Sequence, residues 1–535
     1  MYEISPCGET RAATIHETAT LVRNRLSFPL LPHLSPLQFT MSVDAKSLDD
    51  SPTETGQHTS QLVVSEEQSR RERLSAAFTI ACSGFALISD GLQNNIMSLT
   101  NVVFGILYKK EYNSQVSTRV SNSLTVGTIL GQIIIGLLCD LKGRKWGIVL
   151  STVCIVVGII LSTGAHGYHG STVGLFWFLT VSRGITGLGV GGEYPSSSTS
   201  AAEAANEKMM KSRGPAFIMV TNFMLSFGTP FACILYLIVF QAAGGLNANL
   251  STVWRTVFGI SVIPPLAVFF FRLRMLNSQL YRKSAIQHKV PYGLMIRFYW
   301  RSLIGTAGAW FLYDFITFPN GVFSGVIISS VVKASGNELV RKTAEYQLLL
   351  GAIALPGCVV GALLVNKLGR RNTMMLGFSG YLIFGLAVGC AYDRVIKNTA
   401  GFIVLYGLMN SCSNAGPGDM LGLVSAESYA TSVRGSLYGF SAAIGKVGAV
   451  VGTQSFTPIR NNLGARWTFI IAAICGLAGM IVTFFFVRND LGGDLADEDA
   501  RFNAFLAANG FDMSLIGADD KEGLVANEKG EQASL

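Results

Sequence analysis

Apolar runs of about 18 to 25 residues, the length a helix needs to cross the hydrocarbon core of a bilayer, recur along most of this chain, and roughly twelve can be counted. Lipid offers no partner to a backbone N–H or C=O, so a chain built from such runs must satisfy its own backbone within helices. No strand is needed anywhere. Half of the residues are hydrophobic and 14% are charged, against about 25% charged in an ordinary soluble domain. The expected fold class is therefore an all-α membrane protein. The net charge of +8 could suggest nucleic acid, but the basic residues gather in short loops between apolar runs, the pattern of cytoplasmic loops. No nucleic-acid partner is expected.

Other chemistries are excluded in the same way. Every cysteine except Cys7 falls in an apolar run, without a Cys-x-x-Cys pair or paired histidines, so no metal and no cofactor is expected. A Gly-x-x-x-x-Gly-Lys-Ser/Thr phosphate loop is absent, which argues against ATP hydrolysis. Nothing before Arg70 reads as a secretory signal. The first span must then target the chain and leave both termini in the cytoplasm of a multi-pass plasma-membrane protein.

The informative residues are those that lipid would penalise. Ser182 to Pro195 carries Arg183 and Glu193 in an otherwise apolar helix, where a charge is tolerated only if it faces protein or a cavity. Gly184, Gly187 and Gly191 cost helix propensity and are explained by a neighbouring helix approaching closely. The first span, about 74 to 99, contains Asp90, Gln93, Asn94 and Asn95. Trp310, Asp314 and Phe318 recur every four residues and share one helix face. The tenth span carries Asn410, Asn414, Gly416-Pro417-Gly418, Asp419 and Glu427; the Gly-Pro-Gly is expected to break the helix and expose backbone polar groups to a cavity. Lys446 lies too deep in the eleventh span to reach the interface.

Taken in order, residues 1–72 are a polar tail expected to be disordered, with translation starting at Met41; 73–272 form an N-terminal bundle; 273–300 are a basic cytoplasmic linker; 301–488 form a C-terminal bundle; and 489–535 are a cytoplasmic tail expected to be disordered apart from a short helix about 500–508. Asn249-Leu-Ser251 is a glycosylation sequon in a short outer loop.

One loop occurs twice. Gly136-Leu-Leu-Cys-Asp140-Leu-Lys142-Gly143-Arg144-Lys145 is matched by Ala362-Leu-Leu-Val-Asn366-Lys367-Leu-Gly369-Arg370-Arg371. The positive-inside rule explains the bases but not the repeated Asp/Asn and Gly. This duplication resembles the major facilitator superfamily, whose loop between the second and third helices reads Gly-x-x-x-Asp-Arg-x-Gly-Arg-Arg. The resemblance implies twelve transmembrane helices in two six-helix bundles.

Within that superfamily Gly192-Glu193-Tyr194-Pro195-Ser-Ser with Glu203 resembles the fourth-helix signature of the phosphate:proton symporters, and the likeness covers residues 73–488. It implies a substrate site of Tyr194, Trp310, Asp314, Phe318, Gly418, Asp419 and Lys446, with Asp90, Glu193 and Arg183 serving proton coupling. Two departures redirect the substrate: Gly418 stands where the inorganic phosphate carriers have Asn, and Phe318 where they have Tyr. With Gly439-x-x-Ala442, Thr453-Gln454-x-Phe456 and Arg274-Met275-x-Asn277, the chain resembles fungal glycerophosphodiester permeases. The resemblance implies proton-coupled import of glycerophosphoinositol or glycerophosphocholine, small anionic organophosphates, by alternating access in a monomer. The competing readings are an inorganic phosphate:proton symporter and a nutrient sensor that binds without transporting. Which head group is carried, and whether Asp90 or Glu193 is the main proton carrier, stays open at this level.

Overall fold

The computed structural model describes residues 87–273, 291–513 and 516, except the side chains of 207–209 and 271–273. The expectations for the 1–72 tail and its Met41 start, for the beginning of the first span, and for Arg274 to Asn277 in the linker lie outside the described residues. The described membrane region is helical throughout. Its helices are α1 (87–107), α2 (Ser114–Lys142), α3 (Arg144–Thr163) and α4 (Thr172–Glu193, Tyr194–Ser198 and Thr199–Met209). Next come α5 (Arg213–Val220 and Asn222–Ala242) and α6 (Leu250–Ile260 and Ile263–Leu273). The second half holds α7 (Tyr292–Val322 and Ser324–Val331), α8 (Gly336–Leu368), α9 (Arg370–Cys390), α10 (Thr399–Ser413, Asn414–Gly418 and Asp419–Glu427), α11 (Arg434–Asn462) and α12 (Arg466–Phe486). A short α13 (Leu495–Ala508) follows. Arg297, expected in the linker, lies inside α7.

Among the described residues eight helices are long and apolar enough to cross a membrane, or nine if the two parts of α7, bent by 51°, form one span. Those outside this count are α1, whose beginning is not described, and the polar α10 and α11, which carry Asn414, Asp419 and Glu427, and Lys446. The helices form two interacting bundles.

The repeated loop folds the same way twice. Gly143 between α2 and α3 has φ 96° and Gly369 between α8 and α9 has φ 80°, a backbone region open to glycine and costly for other residues. Each glycine thereby ends one helix and lets the next start on Arg144 or Arg370. The glycines of α4 seat it against α2, where a Cβ on Gly187 would strike the Leu124 carbonyl and one on Gly191 the Thr128 carbonyl.

Helices α4 and α10 each contain a π-helical turn at a proline, Tyr194–Ser198 around Pro195 and Asn414–Gly418 around Pro417. The expected break at Gly416-Pro417-Gly418 is thus corrected. A proline removes one N–H and clashes with the carbonyl four residues back, and the wider turn absorbs both defects without ending the helix.

On the face carrying the basic loops, ion clusters tie the halves together. Glu203 of α4 accepts from Arg144 of α3 and Arg434 of α11, each at 3.0 Å. Asp140 accepts the backbone N–H groups of Gly435 at 2.9 Å and Ser436 at 2.6 Å, at the start of α11. Glu427 of α10 is held by Arg370 of α9 at 2.9 Å and Arg213 of α5 at 2.7 Å. The tail after Arg488 is ordered further than expected. Helix α13 begins at Leu495, capped by Asp494, and buries Phe502 and Leu506 against Tyr299, Tyr429 and Val433. Asp499 accepts the Thr431 N–H at 2.6 Å, and Gly493 O accepts from Arg213 at 2.9 Å. The apolar stripe of α13 has a partner surface only once α7, α10 and α11 are assembled, so the sequence showed only part of the helix.

Candidate functional site

A cavity of about 190 Å³ lies between the halves, lined from α1, α4, α5, α7, α8, α10 and α11. The spacing of Trp310, Asp314 and Phe318 turns all three into it. Lys446 of the neighbouring α11, 2% exposed, also lines it and pairs with Asp314 at 2.8 Å. Its Nζ lies 4.0 Å from the Phe318 ring centroid, 5.3 Å from Tyr194 and 5.4 Å from Trp310. A buried ammonium is costly unless paired, and one carboxylate with three aromatic faces supplies that compensation. Asp314 Oδ1 makes no hydrogen bond among the described residues. The cation therefore sits in an aromatic cage, with a carboxylate partner that an incoming anion could replace.

The other walls are rich in amides. Asn94, Asn95, Asn222, Asn320, Asn410 and Asn414 all line the cavity. Asn94 and Asn95 donate back to the Asp90 and Gly91 carbonyls at 2.9 and 2.8 Å, keeping their amide oxygens available as acceptors. Asn414 donates to the Ala354 carbonyl at 3.0 Å. Asn222, Asn320 and Tyr313 were missed by sequence reasoning; an amide inside an apolar span, as at Asn222 and Asn320, was the available signal.

The remaining site candidates divide. Tyr194 lines the cavity edge-on to Trp310, with ring centroids 6.4 Å apart. The Trp310 indole already donates to Ser425 Oγ at 3.2 Å. Gly418 also lines the cavity, but the space at its Cα is not empty: a Cβ would lie 2.9 Å from the Tyr313 hydroxyl and 3.1 Å from Asn222 Nδ2. Asp419 is not among the lining residues; it is 1% exposed behind the wall and accepts from Asn222 at 2.7 Å, so it positions that amide.

The coupling candidates occupy three different surroundings. Asp90, fully buried, sits one turn before Asn94 on α1 and directly before Gly91, both of which line the cavity. Glu193 accepts from the Ser197 hydroxyl of its own helix and is not among the residues lining the cavity. Arg183, 2% exposed, donates to the Gln93 carbonyl at 3.4 Å and faces the Phe258 ring at 5.8 Å. It touches α1 three residues beyond Asp90.

Contacts join the halves on both sides of the cavity. The ion clusters close the basic-loop face. On the opposite face the Ser98 and Ser324 hydroxyls are 3.0 Å apart, Ser98 also accepts the Gly325 N–H at 2.9 Å, and Asn337 donates to the Leu246 and Ala248 carbonyls at 2.8 and 3.0 Å.

Two duplicated halves packed around a polar cavity that lies between them are the build of a membrane carrier. The chain belongs to the sugar (and other) transporter family of the major facilitator superfamily, transporters and not enzymes, whose profile matches residues 76–285 and 282–499. It is 55% identical over 453 residues to glycerophosphoinositol permease 1 of Candida albicans, covering 83% of this chain and 86% of that one. It is 51% identical over 463 residues to glycerophosphoinositol transporter 1 of Saccharomyces cerevisiae, covering 86% and 88%. The proton:xylose symporter XylE of E. coli superposes with a TM-score of 0.64 at 16% identity, covering 81% of this chain and all of that one, a likeness of fold alone.

Proposed function

We propose that the chain is a twelve-helix secondary carrier of the plasma membrane that imports glycerophosphodiesters with protons, foremost glycerophosphoinositol. The observation that carries this reading is the division of the cavity into one caged cation, Lys446 with Asp314, and a wall of asparagines. A phosphodiester bears a single negative charge that one ammonium neutralises, and a polyol head group offers hydroxyls that amides bind as donors and acceptors. A quaternary ammonium head would instead want carboxylate or an open aromatic cage, and here the cage is filled by Lys446. The names of the two relatives described above support the same substrate.

In this reading the basic loops and both termini face the cytoplasm, and the monomer is the working unit. The arriving phosphodiester takes Asp314's place on Lys446. Protonation of Asp90 removes a negative charge near the anion, and rocking of the halves breaks the ion clusters and opens the cavity inward. The position of Asp90 beside the cavity favours it over Glu193 as the main proton carrier.

Uptake of labelled glycerophosphoinositol, glycerophosphocholine and inorganic phosphate, in cells lacking their own carriers, tests the reading. The expected order is glycerophosphoinositol first and phosphate last, with accumulation abolished by a protonophore. Strong phosphate uptake without diester uptake would make the chain a phosphate symporter, and binding of diesters without uptake would make it a sensor.

A further inference from the structure

A second and larger cavity, of about 920 Å³, lies away from the central one, bounded by α2 and α4 of the first half and the end of α11. It is graded along the membrane normal. Near the start of α2, on the face opposite the basic loops, Arg119 and Asn122 line it together with Gln454 of α11. Deeper in, Leu130, Ile185 and Leu188 line it. Arg119 and Leu130 are eleven residues apart on one helix, a rise of about 16 Å. The deep end merges with surface that faces lipid, where Val126 and Leu130 are 46% and 50% exposed, and nearer the polar end Val181 is 61% exposed.

The polar end is prepared for an anion. The Arg119 guanidinium stacks on Trp177 at 3.9 Å, which fixes its plane, and its Nε makes no hydrogen bond among the described residues. Asn122 is 5% exposed, and its Nδ2 donor is likewise unmatched within the described protein. A buried amide donor left without a partner costs about 1 to 3 kcal/mol. No carboxylate lines the cleft.

We infer that this cleft binds a phospholipid from the leaflet opposite the basic loops, with its phosphate on Arg119 and Asn122 and one acyl chain laid past Leu130 and Leu188. Charge complementarity selects the phosphate, and the opening toward lipid selects a bilayer component over a solute. That leaflet is the outer one if the basic loops are cytoplasmic, as proposed above; binding itself does not depend on transport. The seated lipid touches both halves and props this side of their interface.

The test reconstitutes the full chain in phosphatidylcholine vesicles containing a small fraction of phosphatidylcholine with a photoactivatable acyl chain, and maps the labelled peptides. Labelling should concentrate on the α2 and α4 peptides around Leu130 and Leu188, and Arg119→Gln should reduce it about tenfold, the effect of one lost charge-assisted hydrogen bond. Val181→Trp, which obstructs the cleft from an exposed position, should reduce it independently and decides the matter if Arg119→Gln does not fold. Excess glycerophosphocholine or inorganic phosphate should not compete. Labelling spread evenly over all lipid-facing helices, labelling insensitive to the variants, or competition by either solute would each overturn the inference.

Discussion

Glu203 and Glu427 play the same part in the two halves of the molecule: each holds one arginine of its own half and one of the other, Arg144 and Arg434 in the first case, Arg370 and Arg213 in the second. Both carboxylates are buried, with side chains no more than 1% exposed. The basic-loop face is therefore closed by two symmetric clasps that must both open for the cavity to reach that side.

Removing the Glu203 carboxylate takes one partner from each of two buried guanidiniums, leaving Arg144 on Asp140 and Arg434 on the Tyr429 carbonyl, a loss of about 3 to 5 kcal/mol for the closed arrangement. Glu203→Gln should shift the protein toward the form open on the basic-loop face. Spin-label distances between the ends of α3 and α11 should lengthen; unchanged distances would show that Glu427 and its arginines suffice.

Lys446→Ala should abolish high-affinity diester binding, because Lys446 is the cation among the cavity-lining residues. The same change leaves Asp314 buried without its partner, so folding must be checked in parallel. Asp314→Asn with Lys446 intact separates the two effects: diester affinity should persist or rise, since a competing carboxylate has gone. Isothermal titration with glycerophosphoinositol reads both.

Asp90→Asn should remove the dependence of uptake on external pH, whereas Glu193→Gln, which replaces a group bonded to Ser197 away from the cavity lining, should retain it. Uptake measured from pH 5 to pH 8 distinguishes them. The reverse outcome would move proton carriage to Glu193.

Gly418→Asn should reduce diester uptake, because any side chain there displaces the Tyr313 hydroxyl or Asn222 from the cavity wall. The loss should appear in KM more than in protein level. Normal KM would mean that Tyr313 and Asn222 do not touch the substrate.

Outside the membrane, the Ala496 N–H and then the Asn206 amide hold the Asp494 carboxyl below the usual carboxylate range. A carboxyl with a depressed value when folded stabilises its contacts above the ordinary value of about 3.9, and loses that contribution as pH falls through the folded value. Protection of residues 495–508 from hydrogen exchange should thus fall in acid. Asp494→Ala should lower it already at neutral pH by about 1 kcal/mol, the usual worth of a helix cap.

Much of this protein was settled by its sequence. Runs of spanning length admit only helices, the repeated Asp140 and Asn366 loops announce two like halves, and charges at Asp90, Arg183, Asp314 and Lys446 had to lie away from lipid, because hydrocarbon solvates none of them. Spacing alone placed Trp310, Asp314 and Phe318 on one face. Tertiary structure decided which buried charge meets which. Lys446 and Asp314 are 132 residues apart, and nothing local links them. The assignments of Asp419 and Glu193 depended on which side of a helix faces the other bundle, a property of packing that single-helix periodicity does not carry. The same holds for the amides at Asn222 and Asn320, and for α13, whose docking surface exists only after α7, α10 and α11 have come together. Local sequence determines what a helix can bury, but the interior it finds is made by the rest of the chain.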